Sequence, residues 1–483
     1  MADYKHGVYV DEQATSLSAP ITGSAGLIVV VGTAPVNMLS DPSAAVNVPL
    51  LANTYKEAVQ QVGYSDDFEK YTICEAISAA FSVVGVAPIV MINVLDPAKH
   101  SAALTTTTVA IDNLTAKIDE AGVLLSELKL TAGSTELKEG EDYTTSWNDD
   151  GTLNIILISG GAGASASSLT VAGKKLDASK ATKTDIVGAV DVNTGAESGL
   201  EVLRQVYPKL SLVPGIVIAP GYSEDATVAA AMQAKVQSIN ECFNAMAYID
   251  IDSSSEGATK YTEVKEQKTK QALTSTYAYA VWLYAKVGEV MYHGSTMAAV
   301  ETAYTDAENS DVPYVSPSNK SLGISAACLK DGTEVLLDRA QANTVNSFGV
   351  ATFINNEGFR LWGNNTCAYP SSTDPKDRWI TGRRFFNWAG NNFIRSYAKD
   401  VDDPLNPRKV QAIVDSENAK GNGLVSMGAC ARYEIVYDTE ENTAADLLNG
   451  VAKFHQYMSP FPPMEAIENT LEFDPNALQS AFN

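Results

Sequence analysis

The sequence predicts a multidomain protein of mixed α/β (α+β) class. A discontinuous α/β core is broken by a β-rich insertion and followed by a C-terminal α/β domain, with extended arms at both ends. Three observations carry this. The chain has 483 residues, more than one compact core accommodates, so about two to four domains are expected. Apolar runs of strand type alternate with helically spaced segments on both sides of residues 99–196. That intervening stretch holds no proline between Pro97 and Pro208, no cysteine between Cys74 and Cys242, and no arginine before Arg204.

Residues 1–24 are expected to be an extended arm. Tyr4, Val8, Tyr9 and Val10 are strand formers without a helical period, and Pro20 and Gly23 punctuate the end. Termini often fray. The aromatic and β-branched content here argues instead for a strand bound to the sheet edge of another subunit.

From 25 to 98 the pattern is α/β. The run 27–31 is a buried strand, 54–62 and 74–84 have helical spacing, and 89–94 is a second buried strand. Such alternation builds a sheet covered by helices. Residues 99–196 are rich in Thr, Ser, Ala and Gly. Alternation at 128–131 and 152–158, with turns at Gly133-Ser134, Gly140 and Asp149-Asp150-Gly151, predicts a β-rich inserted domain. SGGAGASASS at 159–168 is loop material.

The α/β pattern resumes at Gly199. A helix through Tyr207, a strand at 215–219, a helix at 226–243, a strand at 245–250 and a helix at 264–273 precede a strand alternating Tyr277, Tyr279 and Val281. Beyond Asn356 the spacing predicts helices over 385–397, 410–418 and 443–458, with a strand over 432–437. The last helix would carry Leu447, Leu448, Val451 and Phe454 on one face, and Pro460 to Pro463 would stop it. Ile467, Leu471 and Phe473 alternate imperfectly and mark a second arm at 463–483. Two strand-like arms at opposite ends of one chain suit meshing between copies.

Bulk composition narrows the function. The apolar fraction is 45% and the charged fraction 19%, as in ordinary globular proteins. No apolar run reaches membrane-spanning length, and Asp3, Lys5 and His6 precede any apolar run, unlike a secretory signal. Five scattered cysteines without a CxxC fit reduced thiols better than disulfides or zinc, so the sequons at Asn113, Asn319 and Asn364 are chance matches. A net charge of −24 argues against nucleic acid or anionic membrane as a partner. The charge is uneven: residues 356–410 hold nine Lys/Arg against six Asp/Glu, and six of the chain's nine arginines. This window is either a solvated basic face or an interface with an acidic neighbour, such as another copy.

Sites of chemistry are absent from the pattern. There is no GxxxxGK[ST] and no GxSxG, and none of His6, His100, His293 and His455 has a metal-ligand partner at i+4. Asp400, Asp402 and Asp403 lack the glycine and glutamate of a calcium loop. No catalytic, cofactor or metal residue is expected. Arg383-Arg384, before Phe385-Phe386, reads either as an internal ion-pair cluster or as an intermolecular contact.

NTVNSFGVATFINNEGFRLWGNNT at 343–366 and RWITGRRFFNWAGN at 378–391 are the most distinctive segments. With PYVSPSNKSLG at 313–323, the aromatic strand at 277–286, YKHGVYV at 4–10, Thr15-Ser16-Leu17 and GTAPV at 32–36, they resemble contractile-tail sheath proteins, which form the outer cylinder of contractile bacteriophage tails and R-type tailocins. The likeness covers the chain outside roughly 99–196, weakly at 443–474. It implies a discontinuous core of 25–98 and 197–355, with 99–196 as an outer domain and 356–462 facing a tail tube. It also implies stacked six-membered rings that contract to drive the tube through a target envelope. Arms carrying Tyr4, Val8, Tyr9, Val10, Ile467, Leu471 and Phe473 would add strands to neighbours. Arg378, Arg383, Arg384, Arg395 and Lys453 are the candidates for subunit or tube contacts. The implied partners are further copies, tube protein, baseplate and tail terminator, with no cofactor and no membrane insertion. The implied location is a virion tail or tailocin particle assembled in the host cytoplasm. A related injection or secretion sheath, or a soluble α/β enzyme, remains the alternative.

Overall fold

Parallel strands covered on both faces are unbroken apolar runs, and the central sheet of this chain is built from such runs. The computed structural model describes residues 21–148 and 150–481. Tyr4, Val8, Tyr9 and Val10 lie outside them, as does Asp149. Strands β1 (Ile28–Gly32), β2 (Pro49–Ala52), β3 (Ile89–Asn93), β4 (Ile216–Ile218), β5 (Met246–Ile251) and β6 (Ala278–Trp282) form one sheet in the order β6-β5-β4-β1-β3-β2. All neighbours are parallel except β2, which runs antiparallel at the edge. Every residue of β1, β3, β4, β5 and β6 is buried. Each Val or Ile so buried contributes about 1.5–3 kcal/mol.

The covering helices at 55–62, 72–84, 226–235 and 264–270 come from the segments with helical spacing, with differences at their ends, whereas the helix at 294–308 was not among the expected elements. Tyr55–Val62 is capped by Thr54, whose hydroxyl accepts the Glu57 N–H. Helix α1 (Thr72–Ile77) passes into a π-helix at Ser78–Val84. The helix expected over 226–243 stops at Lys235, because Ser238, Asn240 and Glu241 adopt φ of 53, 53 and 63°. Helix α2 (Gly294–Glu308) is buried along almost its whole length. Small residues such as Ala298, Ala299 and Ala303 let it lie close to its neighbours.

The insertion has a hydrophobic core of its own, including Ile118, Leu130, Leu153, Ile155, Leu169 and Val171. Two antiparallel sheets enclose it, one of four strands and one of three. Alternation sets their faces: Ser168–Ala172 buries Leu169 and Val171 and exposes the residues between. A separate pair, Ser101–Ala103 with Lys174–Leu176, joins the two ends of the insertion.

Compactness divides the chain into Met1–Pro404 and Leu405–Asn483. Helix α3 (Ile380–Tyr397), which bears the arginine cluster, belongs to the first unit. The second unit is small: helix α4 (Pro407–Ser426), strand β7 (Cys430–Val436), a short helix α5 (Ala444–Leu448), strand β8 (His455–Pro460) and a last short helix, Pro475–Ser480, which interrupts the extended arm expected at 463–483. β7 and β8 form an antiparallel pair.

The helix expected over 443–458 is a correction. Thr443 and Asp446 form a capping box that starts α5, but Gly450 at φ 74° ends it. Asn442 then closes the turn: its Nδ2 donates to Lys453 O (2.9 Å) and its Oδ1 accepts the Lys453 N–H (2.7 Å). Residues 455–460 emerge as a strand. The apolar face the spacing suggested is left open, with Leu448 88% exposed.

Candidate functional site

The arginines of α3 and its approach fall into two classes. Arg384 is 4% exposed and forms a fork with Asp306 of α2: Nη1 donates to Oδ1 at 2.9 Å and Nη2 to Oδ2. Burial pushes the Asp306 carboxyl up, while the carboxylate beside it holds the Arg384 guanidinium above its already high value. Arg383 donates to Asp377 and Asn387 at 3.1 Å and lies 4.9 Å over the Tyr277 ring. Arg378 donates to Asn365 at 2.9 Å and packs against the Tyr369 and Trp379 rings. These three head groups are engaged within the subunit. Arg395, in the last turn of α3, is exposed.

Polar groups at the carboxyl ends of β4 and β5 are engaged internally as well. The Asp250 carboxylate accepts Ser223 Oγ (2.8 Å), Ser295 N (2.7 Å) and Ser295 Oγ (2.6 Å), capping the first turn of α2. Glu75 of α1 accepts the His293 N–H (2.8 Å) and lies 2.6 Å from His293 Nδ1. Nearby carboxylates, Glu75 first, push the His293 pKa up to about 9 against burial. An imidazolium held in this way is no general base at neutral pH. Among the described residues no His/Cys/Asp/Glu group could hold a metal ion.

The second unit is a different kind of surface. Its helix and hairpin meet through Gly421, where a Cβ would lie 2.1 Å from Tyr433 O. Glu417 accepts Tyr433 OH at 3.0 Å. Asn418 works as a strand mimic on the outer edge of β7: its Nδ2 donates to Ile435 O (3.0 Å) and its Oδ1 accepts the Ile435 N–H (2.8 Å). That edge is therefore closed by α4. The register pairs Tyr433 with Met458 and Ile435 with Gln456. Since the backbone of Ile435 points away from β8, that of its partner Gln456 points away from β7, and so does that of Met458. The sheet has two strands, so β8 presents an open edge among the described residues.

The strand and the chain that leaves it expose apolar side chains. Tyr457, Phe461, Met464, Ile467, Leu471 and Phe473 are 39–88% exposed, and 461–474 has no regular structure. Lys453 is half exposed, and its ammonium binds Asp446 at 2.9 Å within the same turn.

Asp306, Asn418 and Gly421 were not singled out by sequence reasoning. Asp306 lies 78 residues from Arg384, a distance no local pattern spans. Gly421 lies beyond the helix expected over 410–418, which in the structure continues to Ser426, so its place in a packed helix was not visible in the spacing.

No protein-family model matches the chain. The chain is 25% identical over 480 residues to the "Tail sheath protein" of Burkholderia phage BcepMu, covering 96% of each. Its fold matches a chain of the anti-feeding prophage baseplate structure with a TM-score of 0.60 at 14% identity, covering 98% of this chain and 100% of that one. It also matches a chain of the contracted sheath complex of PVC, an extracellular contractile injection system, with a TM-score of 0.58 at 13% identity and 99% coverage of both.

Proposed function

We infer that this chain, similar over nearly all of its length to contractile tail sheath proteins in sequence and fold, is a structural subunit of a contractile sheath. Its copies polymerise as stacked six-membered rings around a tail tube, and contraction drives the tube through the target envelope. The particle is a phage tail or a related injection device, assembled in the host cytoplasm with tube, baseplate and terminator proteins.

One observation carries this reading. The second unit has an open strand edge at β8 followed by an exposed apolar tail without regular structure, and both suit pairing with other copies. Strand addition supplies main-chain bonds, and the apolar side chains of the arriving arm supply burial. Arms of neighbours, with Tyr4, Val8, Tyr9 and Val10 at one end and Ile467, Leu471 and Phe473 at the other, are the donors. Arg395 is the cation of the α3 cluster available to an acidic neighbouring copy, and Lys453 lies on the face turned toward the tube.

Contraction needs no bound fuel in this account. Sheath subunits assembled in a metastable lattice shift to a lattice with better contacts once released. The charged interior of the first unit is a fixed scaffold for that shift rather than a reaction site, which favours the structural role over an α/β enzyme. Negative-stain electron microscopy of the purified protein, alone and with tube protein, tests the reading. Hollow striated cylinders are expected. Small monodisperse particles in both samples would overturn it.

A further inference from the structure

The described chain begins at a tightly built junction. Residues Ile21 and Thr22 pair in parallel with Val86 and Ala87, and the Gly23 N–H donates to Ala87 O at 3.0 Å. On the other side stands Asp311, just beyond α2. Its Oδ1 accepts the N–H groups of Ser24 (2.8 Å) and Ala25 (2.7 Å), and its Oδ2 accepts the Ser24 hydroxyl (2.7 Å).

The fit around these bonds excludes side chains. A Cβ on Gly23 would lie 2.8 Å from Asp311 Oδ1 and 3.0 Å from Ala307 Cβ. A Cβ on Gly26 would lie 2.6 Å from Ala303 Cα. Residues 23–26 therefore run flush along the last two turns of α2. Two residues further on, β1 begins, and β1 occupies the middle of the central sheet.

Asp311 reaches this position through backbone in a disfavoured region. Ser310 and Asp311 have φ of 63 and 59°, left-handed values that non-glycine residues seldom adopt in succession. Such conformations persist where the surroundings hold them, and they gather where geometry serves function. Here the strained turn aims one carboxylate at two successive backbone N–H groups. A turn of α2 earlier, Asp306 holds Arg384 of α3. One helix end thus fastens the root of the N-terminal segment, the central strand that follows it, and the helix from which the chain continues to the second unit.

We propose that Asp311 and the end of α2 are the mount of the N-terminal arm. The mount fixes the course of residues 21–26, the root of that arm. It passes load on the arm into α2, β1 and α3, so that pulling does not peel residues 21–26 away. Asp311 is then a positioning residue for assembly. This rests on the reading above that the N-terminal arm engages other copies.

The test uses three full-context variants co-expressed with tube protein: Asp311→Ala, Asp311→Asn and a deletion of residues 1–20. Hydrogen exchange at Ser24 and Ala25 is measured on unassembled protein, and striated cylinders are counted by electron microscopy. Asp311→Ala is expected to keep a cooperative melt within about 3 °C of the parent, as for part-exposed bonds. Exchange at Ser24 and Ala25 should accelerate. Cylinder number should fall by about tenfold or more, since an unoriented arm must be ordered at every contact. Asp311→Asn, which keeps one acceptor oxygen, should fall between, and it replaces Asp311→Ala as the deciding variant if the latter fails to fold. If the deletion abolishes assembly while the deciding Asp311 variant assembles at the parental level, the mount is refuted and the arm reading stands. If the deletion assembles normally, the arm reading fails and the mount falls with it.

Discussion

The two units of this chain treat their apolar and charged groups in opposite ways. The first buries the parallel strands of its central sheet completely and pairs charges inside, as Arg384 with Asp306 and Glu75 with His293. The second buries only Leu424, Ala429, Cys430, Tyr433 and Ile435 among its described apolar residues. Thirteen of the nineteen large apolar side chains exposed among the described residues belong to it, in about a sixth of the chain. A two-stranded hairpin is marginal by itself, and here α4 is the one element packed on it among the described residues. The contrast separates a scaffold with its apolar strands and charges enclosed from a part that leaves most of its large apolar side chains exposed.

The largest effect that could break this comparison lies inside the scaffold. Arg384→Ala leaves Asp306 buried and unpaired, and is expected to destabilise the first unit by about 3–5 kcal/mol in denaturant unfolding. Arg395→Glu, on the exposed end of the same helix, should change folding by less than about 0.5 kcal/mol while reducing assembly. Equal, small effects on folding would show that the internal pair is no scaffold element.

Gly421→Ala sharpens the comparison from the other side. Its Cβ would meet Tyr433 O at 2.1 Å, so α4 must move off the hairpin. A loss of about 1–3 kcal/mol is expected, as for overpacking elsewhere. It should show as exchange of amides in 407–436 with those of β1 to β6 unchanged.

Glu301, buried on α2, tests the scaffold by pH. Burial raises its pKa to about 7, with Thr305 Oγ1 donating to it. The folded state then binds a proton that the unfolded chain has released between the ordinary carboxyl value and about 7, so stability falls as pH rises through that window. Glu301→Gln should stabilise by about 1–3 kcal/mol at pH 8 and by progressively less as pH falls toward 5. An equal gain at both pH values would contradict the assignment.

The smallest effect on folding belongs to the tail. Ending the chain after Pro463 removes Ile467, Leu471 and Phe473, all more than 75% exposed. The melt of the unassembled protein should move by less than about 1 °C, while cylinder formation is lost.

Much of the scaffold was legible because its strands announce themselves. The runs at 27–31, 89–94, 215–219 and 245–250 are strands within a residue or two, since fully buried parallel strands need no polar alternation. The alternation at 128–131 and 152–158 likewise became sheet. The second unit was harder to read. Leu447, Leu448, Val451 and Phe454 have helical spacing, yet Asn442 gripping Lys453 turns the chain, and Phe454 packs against Tyr437 at 5.7 Å. The arginine cluster was visible as composition, but Asp306, which holds Arg384, and Tyr277, beneath Arg383, are distant in sequence, so burial could not be told from exposure.

The most direct test is amide hydrogen exchange at Gln456 and Met458, the N–H groups on the outer edge of β8. In unassembled protein they should exchange nearly freely. In cylinders, a strand from another copy should slow them by about a hundredfold or more, as for core sheet amides. Exchange that stays equally fast in assembled cylinders would contradict completion of this hairpin by another copy.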